Sequence, residues 1–377
     1  MRISLRNRFK KVVMMVNSTA EEIFDPSVKG AALKAAAAGN FDVLPMFDRA
    51  METSSRERIR AIQLEKLIAQ VAYTYENVAW YRDKMNEMGV KPEDIKTLED
   101  VRKLPFTDKN ALRETFPYGL FAQPLDKIVE MHSSSGTTGK PIVVGYTKHD
   151  MAVWSDCIAR LASMAGVVPG DRVQMAFGYG MFTGGFGLHY GCMKLGCTMI
   201  PAGSGNTERH IQMIEDYGTT VIIATPTYAL HICEVGEKMG YDWAKSTLRV
   251  GLFGGEPCPP GLKAEIERRM HIVCTDNYGL TEVMGPGVSG ECLAERYQQH
   301  IAEDHFLWEV IDPETGEPVG EGEMGELVLT PLCKQGIPVL RYRTHDLTAV
   351  HTEPCACGRT LARMDKVRSR SDDMLII

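Results

Sequence analysis

Short apolar runs alternate with helical segments between about residues 126 and 276, and this alternation constrains the fold more than any other feature of the sequence. Strands that are separated by helices predict a parallel sheet with both faces covered, so we expect an α/β fold. The predicted strands are 172–176, 198–201, 221–224, 248–253 and 272–276. The predicted helices are 149–165, 184–195, 207–217, 226–239 and 261–270. Ligands of such sheets bind beyond the carboxyl ends of the strands, which favours the loops after Phe253 and Asp276 as a binding edge.

The pattern differs on either side of this core, which we assign to residues 126–300 as a nucleotide- and acid-binding unit. Residues 1–125 are predicted to form a mostly helical N-terminal region, because apolar residues such as those of the stretch 64–72 fall at helical spacing. Beyond residue 300, apolar runs are joined by turns, which predicts a small β subdomain over 301–368. The runs are 306–311, 326–330, 339–342 and 348–351.

Hydroxyl residues, glycines and one lysine are concentrated between two strand-like runs, 128–131 and 142–146. Glycines let backbone N–H groups converge on an anion, hydroxyls add donors, and the lysine adds a positive charge. The glycine spacing and the proline after the lysine exclude a Walker A loop. A flexible linker is the alternative, but linkers rarely lie between strands. We therefore predict a phosphate-binding loop that comprises Ser133, Ser134, Ser135, Gly136, Thr137, Thr138, Gly139 and Lys140.

Composition narrows the class of protein. The 377 residues carry a net charge of −7 without a basic stripe, so nucleic acid is not an expected partner. The sequence has no apolar stretch of the roughly 20 residues that cross a membrane, and it has no signal-peptide core. Its ten cysteines are scattered, which favours buried thiols or metal ligands over disulfides. We expect a cytoplasmic enzyme.

Further clusters follow the hydroxyl-rich loop in order, at 254–257, 278–282, 341–347 and 370–373. Together, these clusters resemble those of the acyl-adenylate-forming enzymes. The phenylacetate–CoA ligase family is the most similar, because it shares the aromatic run 177–190, Cys-Ala-Cys-Gly-Arg at 355–359 and Ser-Asp-Asp-Met-Leu-Ile at 371–376. The resemblance extends from about residue 81 to residue 377. It implies the large multi-layer N-terminal domain of those enzymes, with parallel sheets flanked by helices.

The resemblance implies ATP-dependent activation of an aryl or arylacetic acid, with phenylacetate as the first candidate. The acid would form an acyl-adenylate, and the thiol of CoA would then displace AMP. The expected cofactors and co-substrates are ATP, Mg²⁺ and CoA, and a homodimer is an open alternative. Two other readings remain open: an adenylating enzyme for another carboxylic acid, such as an aminobenzoate or a hydroxybenzoate, or a catalytically silent nucleotide-binding relative.

The resemblance also implies roles for individual residues. Thr281 and Glu282 match the positions that meet the α-phosphate and Mg²⁺, a hard cation that prefers carboxylate oxygen. Asp346 matches the carboxylate that accepts hydrogen bonds from the ribose hydroxyls, and Tyr278 matches the residue that packs on the face of adenine. The full nucleotide-binding set is Gly255, Glu256, Pro257, Asn277, Tyr278, Gly279, Asp346 and Arg370. Each of these residues also has a purely structural alternative. His345 departs from the glycine that many members carry, and a side chain tolerates positive φ less well.

The acid pocket is expected in the aromatic run, because rings form an apolar wall and glycines leave room for a ligand. Tyr179, Phe182 and Phe186 are the candidates for its lining. The alternative is that the same run is a helix entry packed into the core.

A structural zinc site is predicted near the β subdomain. The candidate ligands are Cys292, His300, Cys355 and Cys357, since three thiols and an imidazole make a closed tetrahedral site. The rival ligands are Cys258, Cys274, Cys333, His305 and His351. Four unrelated side chains are the alternative.

The resemblance places residues 369–377 at the hinge to a small C-terminal domain that would carry a lysine for adenylation. No residue of this sequence matches that lysine. We expect either a sequence that stops at the hinge or a truncated product that binds nucleotide and acid but turns over poorly.

Overall fold

The computed structural model describes residues 31–41, 44–134 and 141–369. The described helices are α1 (Ala31–Ala37), α2 (Arg49–Glu52), α3 (Arg56–Asn77), α4 (Ala79–Glu87), α5 (Lys109–Glu114), α6 (Lys148–Met164), α7 (Thr183–Leu195), α8 (Thr207–Tyr217), α9 (Pro226–Lys238) and α10 (Pro260–Met270). Short 3₁₀ helices lie at Pro92–Asp94, Glu99–Lys103, Leu125–Lys127 and Trp243–Lys245.

The strands are β1 (Ile128–Ser133), β2 (Val143–Thr147), β3 (Arg172–Met175), β4 (Thr198–Ile200), β5 (Val221–Ala224), β6 (Val250–Phe253), β7 (Val273–Leu280), β8 (Gly285–Glu291), β9 (Gln298–Ile301), β10 (Phe306–Ile311), β11 (Gly325–Pro331), β12 (Tyr342–Thr348), β13 (Val350–His351) and β14 (Arg363–Asp365).

The main sheet confirms the predicted α/β fold. Within the described residues it has nine strands in the order β13-β14-β9-β8-β7-β6-β5-β3-β4, and the run from β7 to β4 is parallel. Strands β5 and β6 are buried throughout, as expected when helices cover both faces of a sheet. The five helices predicted for this region all form, with boundaries within a residue or two.

The sheet is wider than predicted because β8 and β9 add antiparallel strands beyond β7. Strand β7 also runs on to Leu280, so residues 277–280 lie in a strand and not in the predicted loop. Gly279 allows the close pairing, because a Cβ at that position would lie 1.9 Å from the carbonyl oxygen of Gly285. Sequence reasoning missed β8 because its glycine-rich composition is unusual for a strand.

The strands after residue 301 are divided between two sheets. A separate three-stranded sheet has the order β10-β11-β12, whereas β13 and β14 continue the main sheet through β9. The strand predicted at 339–342 was wrong, because β12 begins at Tyr342 after Arg341 adopts a left-handed φ of 46°. The apolar Val339 and Leu340 are buried without forming a strand. The unit boundaries at residues 125, 300 and 368 stay a prediction.

The apolar residues of helix α3 do not all face the core. Leu67 and Val71 are buried, but Ile68 is 40% exposed. The buried stripe also contains amides: Gln63 Nε2 donates to the carbonyl of Glu303 at 2.9 Å, and Gln70 Nε2 to that of Lys334 at 2.7 Å. A stripe that mixes glutamine with apolar residues is hard to recognise from hydrophobic spacing alone.

Among the described residues, no helix combines the length and the apolar character needed to cross a bilayer.

Candidate functional site

The carboxyl ends of β5, β6 and β7 form one edge of the main sheet, where the predicted adenine loop lies. Gly255 has a φ of 81°, which a side chain would strain. Glu256 is fixed by Thr227 at the start of α9, whose N–H and hydroxyl both donate to Oε1, at 2.7 and 2.6 Å. The side-chain amide of Asn277 donates to the carbonyl of Phe253. The loop is therefore held by its neighbours, and Thr227 is a supporting residue that sequence reasoning missed.

Tyr278 and Asp346 are brought together from β7 and β12. The Tyr278 hydroxyl donates to Oδ2 of Asp346 at 2.6 Å. His345, just before this aspartate, has a φ of 63°, so the position has the backbone conformation that glycine would favour. The N–H of His345 donates to Glu326 Oε1 at 3.2 Å, which helps to hold this conformation.

Thr281 and Glu282 lie in the turn between β7 and β8. Glu282 is almost fully buried, and its Oε1 lies 3.6 Å from the Nζ of Lys109 on α5. Thr281 Oγ1 lies 3.2 Å from Thr183 Oγ1 at the start of α7. Lys109 is a further residue of the site that sequence reasoning missed. Nothing in the sequence pattern around Lys109 pointed towards Glu282.

The predicted phosphate loop is described only at its start. The N–H of Ser133 donates to the carbonyl of Met181 at 2.9 Å, and that of Ser134 donates to the carbonyl of Ile142 at 3.3 Å. These bonds anchor the start of the loop to the residue before β2 and to the aromatic run. The other predicted residues of the loop, and Arg370, lie outside the described residues: Ser135, Gly136, Thr137, Thr138, Gly139, Lys140 and Arg370.

Two of the three acid-pocket candidates contact each other. The rings of Tyr179 and Phe186 meet edge to face with centroids 5.2 Å apart. Tyr179 Oη lies 2.8 Å from His189 Nδ1. Burial lowers the pKa of His189 and raises that of Tyr179 to about 12, so both groups are neutral and share one hydrogen bond. Phe182 is 54% exposed and does not join this pair. His189 was missed because its position in the helix resembles that of an ordinary surface residue.

The four predicted zinc ligands form a buried cluster. The donor atoms of Cys292, His300, Cys355 and Cys357 all lie within 4.8 Å of one another. Cys292 Sγ is 3.8 Å from Cys355 Sγ, and Cys357 Sγ is 3.5 Å from His300 Nε2. The other nitrogen of His300, Nδ1, lies 3.2 Å from the carbonyl of Leu361, to which it can only donate. Nε2 therefore faces the thiols, as it would in a metal ligand whose orientation is fixed by a second bond.

The electrostatics of this cluster favour a thiolate. Hydrogen bonds from Cys292 and Cys355 hold the pKa of the Cys357 thiol far below its usual value. Burial disfavours the charged form of His300, but its bonds to Cys355 and Cys357 outweigh burial and raise its pKa to about 9. Without a metal, the cluster therefore favours one thiolate beside an imidazolium. Thiolate is the form of cysteine that binds a metal, and a bound metal would take the place of the proton on Nε2 of His300.

The rival ligands lie apart from this group within the described part of the chain. His305 Nδ1 is 3.2 Å from Cys333 Sγ, and His351 Nε2 is 3.0 Å from Asp365 Oδ1. Cys258 and Cys274 are buried beside the adenine loop and in β7, respectively. The cluster of four is the group of metal-type donors that the described residues bring together.

Comparison with known proteins shows the family. A family model described as AMP-binding enzyme matches residues 45–331. The phenylacetate-coenzyme A ligase of Thermus thermophilus is 47% identical over 332 residues, which cover 88% of this chain and 75% of that protein. That of Escherichia coli K12 is 46% identical over 328 residues, which cover 87% of this chain and 74% of that protein.

Solved structures with the same fold include a 2-hydroxyisobutyryl-CoA ligase in complex with 2-HIB-AMP and CoA. Its TM-score is 0.83 at 28% identity, and the match covers 89% of this chain and 74% of that one. The fold is thus that of an adenylate-forming enzyme. Within that class, the chain belongs to the phenylacetate–CoA ligase family.

Proposed function

We propose that this protein is an AMP-forming acid–CoA ligase that activates an aryl or arylacetic acid, with phenylacetate as the first candidate. The observation that carries the proposal is the identity of 46–48% to proteins named phenylacetate-coenzyme A ligase, sustained over 87–88% of the chain. A match over this much of the chain covers both the carboxyl ends of the parallel strands and the helices around them.

In the first step, a carboxylate oxygen of the acid attacks the α-phosphorus of ATP, and the bond to pyrophosphate breaks. In the second step, the sulfur of CoA attacks the acyl carbon, the bond to AMP breaks, and the thiol proton is lost. Asp346, oriented by Tyr278, would accept hydrogen bonds from the ribose hydroxyls. Glu256 and its neighbours would line the adenine, and Lys109 would bring positive charge towards the phosphates.

Glu282 is the proposed Mg²⁺ ligand. Its carboxylate is held in a turn beside Thr281, and carboxylate oxygen is the ligand type that Mg²⁺ prefers. A bound Mg²⁺ would offset negative charge on the phosphates during transfer. The Nζ of Lys109, 3.6 Å from Oε1 of Glu282, would supply a second positive charge near the phosphates.

The acid is proposed to bind against Tyr179 and Phe186. Their edge-to-face pair offers an apolar wall, which suits an aromatic ring. The hydrogen bond between Tyr179 and His189 adds a polar group at this wall, which favours including hydroxylated aryl acids in any substrate panel.

We also propose a structural zinc ion in the cluster of Cys292, His300, Cys355 and Cys357. Two backbone N–H groups support the sulfurs: Glu295 donates to Cys292 at 3.2 Å and Cys357 donates to Cys355 at 3.5 Å. A fully protein-ligated tetrahedral site has a structural role. Metal analysis of purified protein should give about one zinc per chain, and Cys355→Ser and Cys357→Ser should lose it. Cys333→Ser, which removes a rival thiol, should keep it.

Acid-dependent release of pyrophosphate, measured with and without CoA over a panel of acids, tests the function. We expect release with phenylacetate and formation of a thioester only when CoA is present. Release with another acid alone would reassign the substrate. Absence of both release and ATP–pyrophosphate exchange, with ATP bound in calorimetry, would identify a silent nucleotide-binding relative. A cytoplasmic location and a homodimer stay predictions from the sequence.

A further inference from the structure

His132 occupies a central position that the proposed chemistry does not use. It lies in β1 directly before Ser133 and is only 2% exposed. Its Nδ1 lies 3.1 Å from the carbonyl oxygen of Met181, and this oxygen can only accept, so Nδ1 donates. The N–H of Ser133 donates to the same oxygen at 2.9 Å. One carbonyl of the aromatic run is therefore shared by the ring and by the start of the predicted phosphate loop.

The opposite side of the ring is also fixed. Nε2 lies 2.7 Å from Glu130 Oε1, so a proton must lie between these two atoms. The other carboxylate oxygen of Glu130 accepts from the hydroxyl of Tyr190, on α7, at 2.8 Å. The imidazole is thus held at both nitrogens and cannot rotate without breaking a bond.

The faces of the ring link it to the turn that carries Glu282. His132 packs edge to face against Tyr146 and Trp154, at centroid distances of 5.7 and 6.0 Å. The Tyr146 hydroxyl donates to the carbonyl of Met284 at 2.7 Å, and Trp154 Nε1 donates to that of Pro286 at 2.8 Å. These two bonds hold the residues that follow Thr281 and Glu282.

We propose that His132 is a positioning residue for adenylation: through Met181 it sets the placement of the acid-binding aromatic run relative to the start of the phosphate loop. This inference rests on the proposed function. The reaction requires the carboxylate to meet the α-phosphorus in line, and each ligand can bind in its own segment without that alignment. Loss of the alignment therefore lowers the rate of adenylation more than it lowers binding.

Two isosteric substitutions separate the two sides of the ring. An asparagine amide reaches about as far as Nδ1, so His132→Asn can keep the bond to Met181 and lose the one to Glu130. A glutamine amide reaches about as far as Nε2, so His132→Gln can keep Glu130 and lose Met181. His210→Gln is the matched control, because His210 is another buried imidazole (1% exposed) whose Nδ1 bonds to Gln174 and not to the site.

Acid-dependent ATP–pyrophosphate exchange is the first readout. We expect His132→Gln to lower kcat by about tenfold or more, with the KM values for ATP and acid within about threefold of wild type. For His132→Asn and His210→Gln, we expect kcat and the KM values for ATP and acid to stay within about threefold of wild type. The inference is overturned if His132→Gln retains the wild-type kcat, or if the asparagine and glutamine variants lose kcat equally.

Amide hydrogen exchange is the second readout, and it does not depend on activity. His132→Gln should speed exchange in both 131–134 and 177–183, whereas His132→Asn should leave both segments protected. If the wild type shows no acid-dependent exchange of pyrophosphate, the proposed function fails, yet the hydrogen-exchange result still decides whether His132 couples the two segments. Equal protection in the two variants would overturn the coupling.

Discussion

The hydroxyl of Tyr278 donates a hydrogen bond to Oδ2 of Asp346 at 2.6 Å, although the residues are 68 positions apart in the chain. The bond joins β7 of the main sheet to β12 of the three-stranded sheet. Burial and the charge of Asp346 raise the pKa of Tyr278 well above its usual value, so the phenol keeps its proton and remains a donor. The side chain of Asp346 is thereby held in place by a residue of another sheet.

Tyr278→Phe should weaken the binding of ATP by removing this orienting bond. One hydrogen bond contributes about 0.5–1.5 kcal/mol, so we expect the KM for ATP to rise by about 2- to 10-fold with a smaller change in kcat. Steady-state pyrophosphate release measures both constants. Tyr241→Phe is the control, because Tyr241 packs on Trp243 away from Asp346. An unchanged KM for ATP in Tyr278→Phe would argue against a ribose-binding role for Asp346.

Glu282→Gln should impair adenylation by removing the proposed Mg²⁺ ligand. We expect kcat to fall by about 100-fold, since charge stabilisation at the phosphates is the main catalytic effect in such reactions. The variant should also need more Mg²⁺ for half-maximal activity, which a Mg²⁺ titration measures. Glu314→Gln removes an exposed carboxylate and should behave as wild type. The same Mg²⁺ dependence in Glu282→Gln and wild type would exclude the assignment.

Removal of zinc should lower the thermal stability of the protein. The cluster joins the end of β8 and strand β9 to the loop between β13 and β14, so the metal would cross-link distant segments. We expect a chelator to lower the Tm of wild type and of Cys333→Ser by several degrees. Cys355→Ser should already melt at the lower temperature and should not respond to the chelator. A wild-type Tm that is indifferent to chelation, in protein shown to hold zinc, would contradict this prediction.

The ion pair of Arg359 and Glu52 should matter more for stability than an exposed pair. Both side chains are fully buried. Glu52→Gln would remove the carboxylate that pairs with the buried arginine, so we expect the free energy of unfolding to fall by about 3–5 kcal/mol. Glu52→Gln combined with Arg359→Met should cost less than the sum of the two single changes. The Arg60–Glu99 pair, at 54% and 57% exposure, is the control, and its loss should cost about 0–1 kcal/mol. Denaturant unfolding measures each value, and equal costs for the two pairs would refute the argument.

Asp276 should make the folded protein less stable as the pH rises from about 4 to 6. Burial raises its pKa from 3.8 to about 6, against the attraction of Lys366, so the folded state binds more protons than the unfolded state in this window. Glu291, Lys263 and Lys366 also face this carboxyl. Relative to Asp276→Asn, the free energy of unfolding of wild type should fall by up to about 3 kcal/mol across that window and then level off. A difference that does not change with pH would show that the carboxyl titrates alike in both states.

The parallel core could be predicted from the sequence, because short apolar runs are each followed by an amphipathic helix. Such a run can be buried on both faces only if helices cover it, and helix caps such as Thr147 and Asn206 mark where those helices begin. The sequence also predicted which three cysteines and which histidine cluster beside β9. Local composition decides these features, because burial and capping act within a few residues of the chain.

Only the tertiary structure decided which residues meet across long separations. Lys109 contacts Glu282 from α5, and no sequence pattern links that helix to the turn after β7. The carbonyl of Met181 accepts two hydrogen bonds from residues of β1. Strand β14 joins β9 of the main sheet, although the chain around it has the pattern of a separate β unit. These contacts depend on how packed elements bring distant backbone and side-chain atoms within hydrogen-bonding range. Hydrophobic periodicity and turn residues describe only neighbouring positions in the chain. They do not predict which distant atoms come into contact, because that depends on the packing of the whole chain.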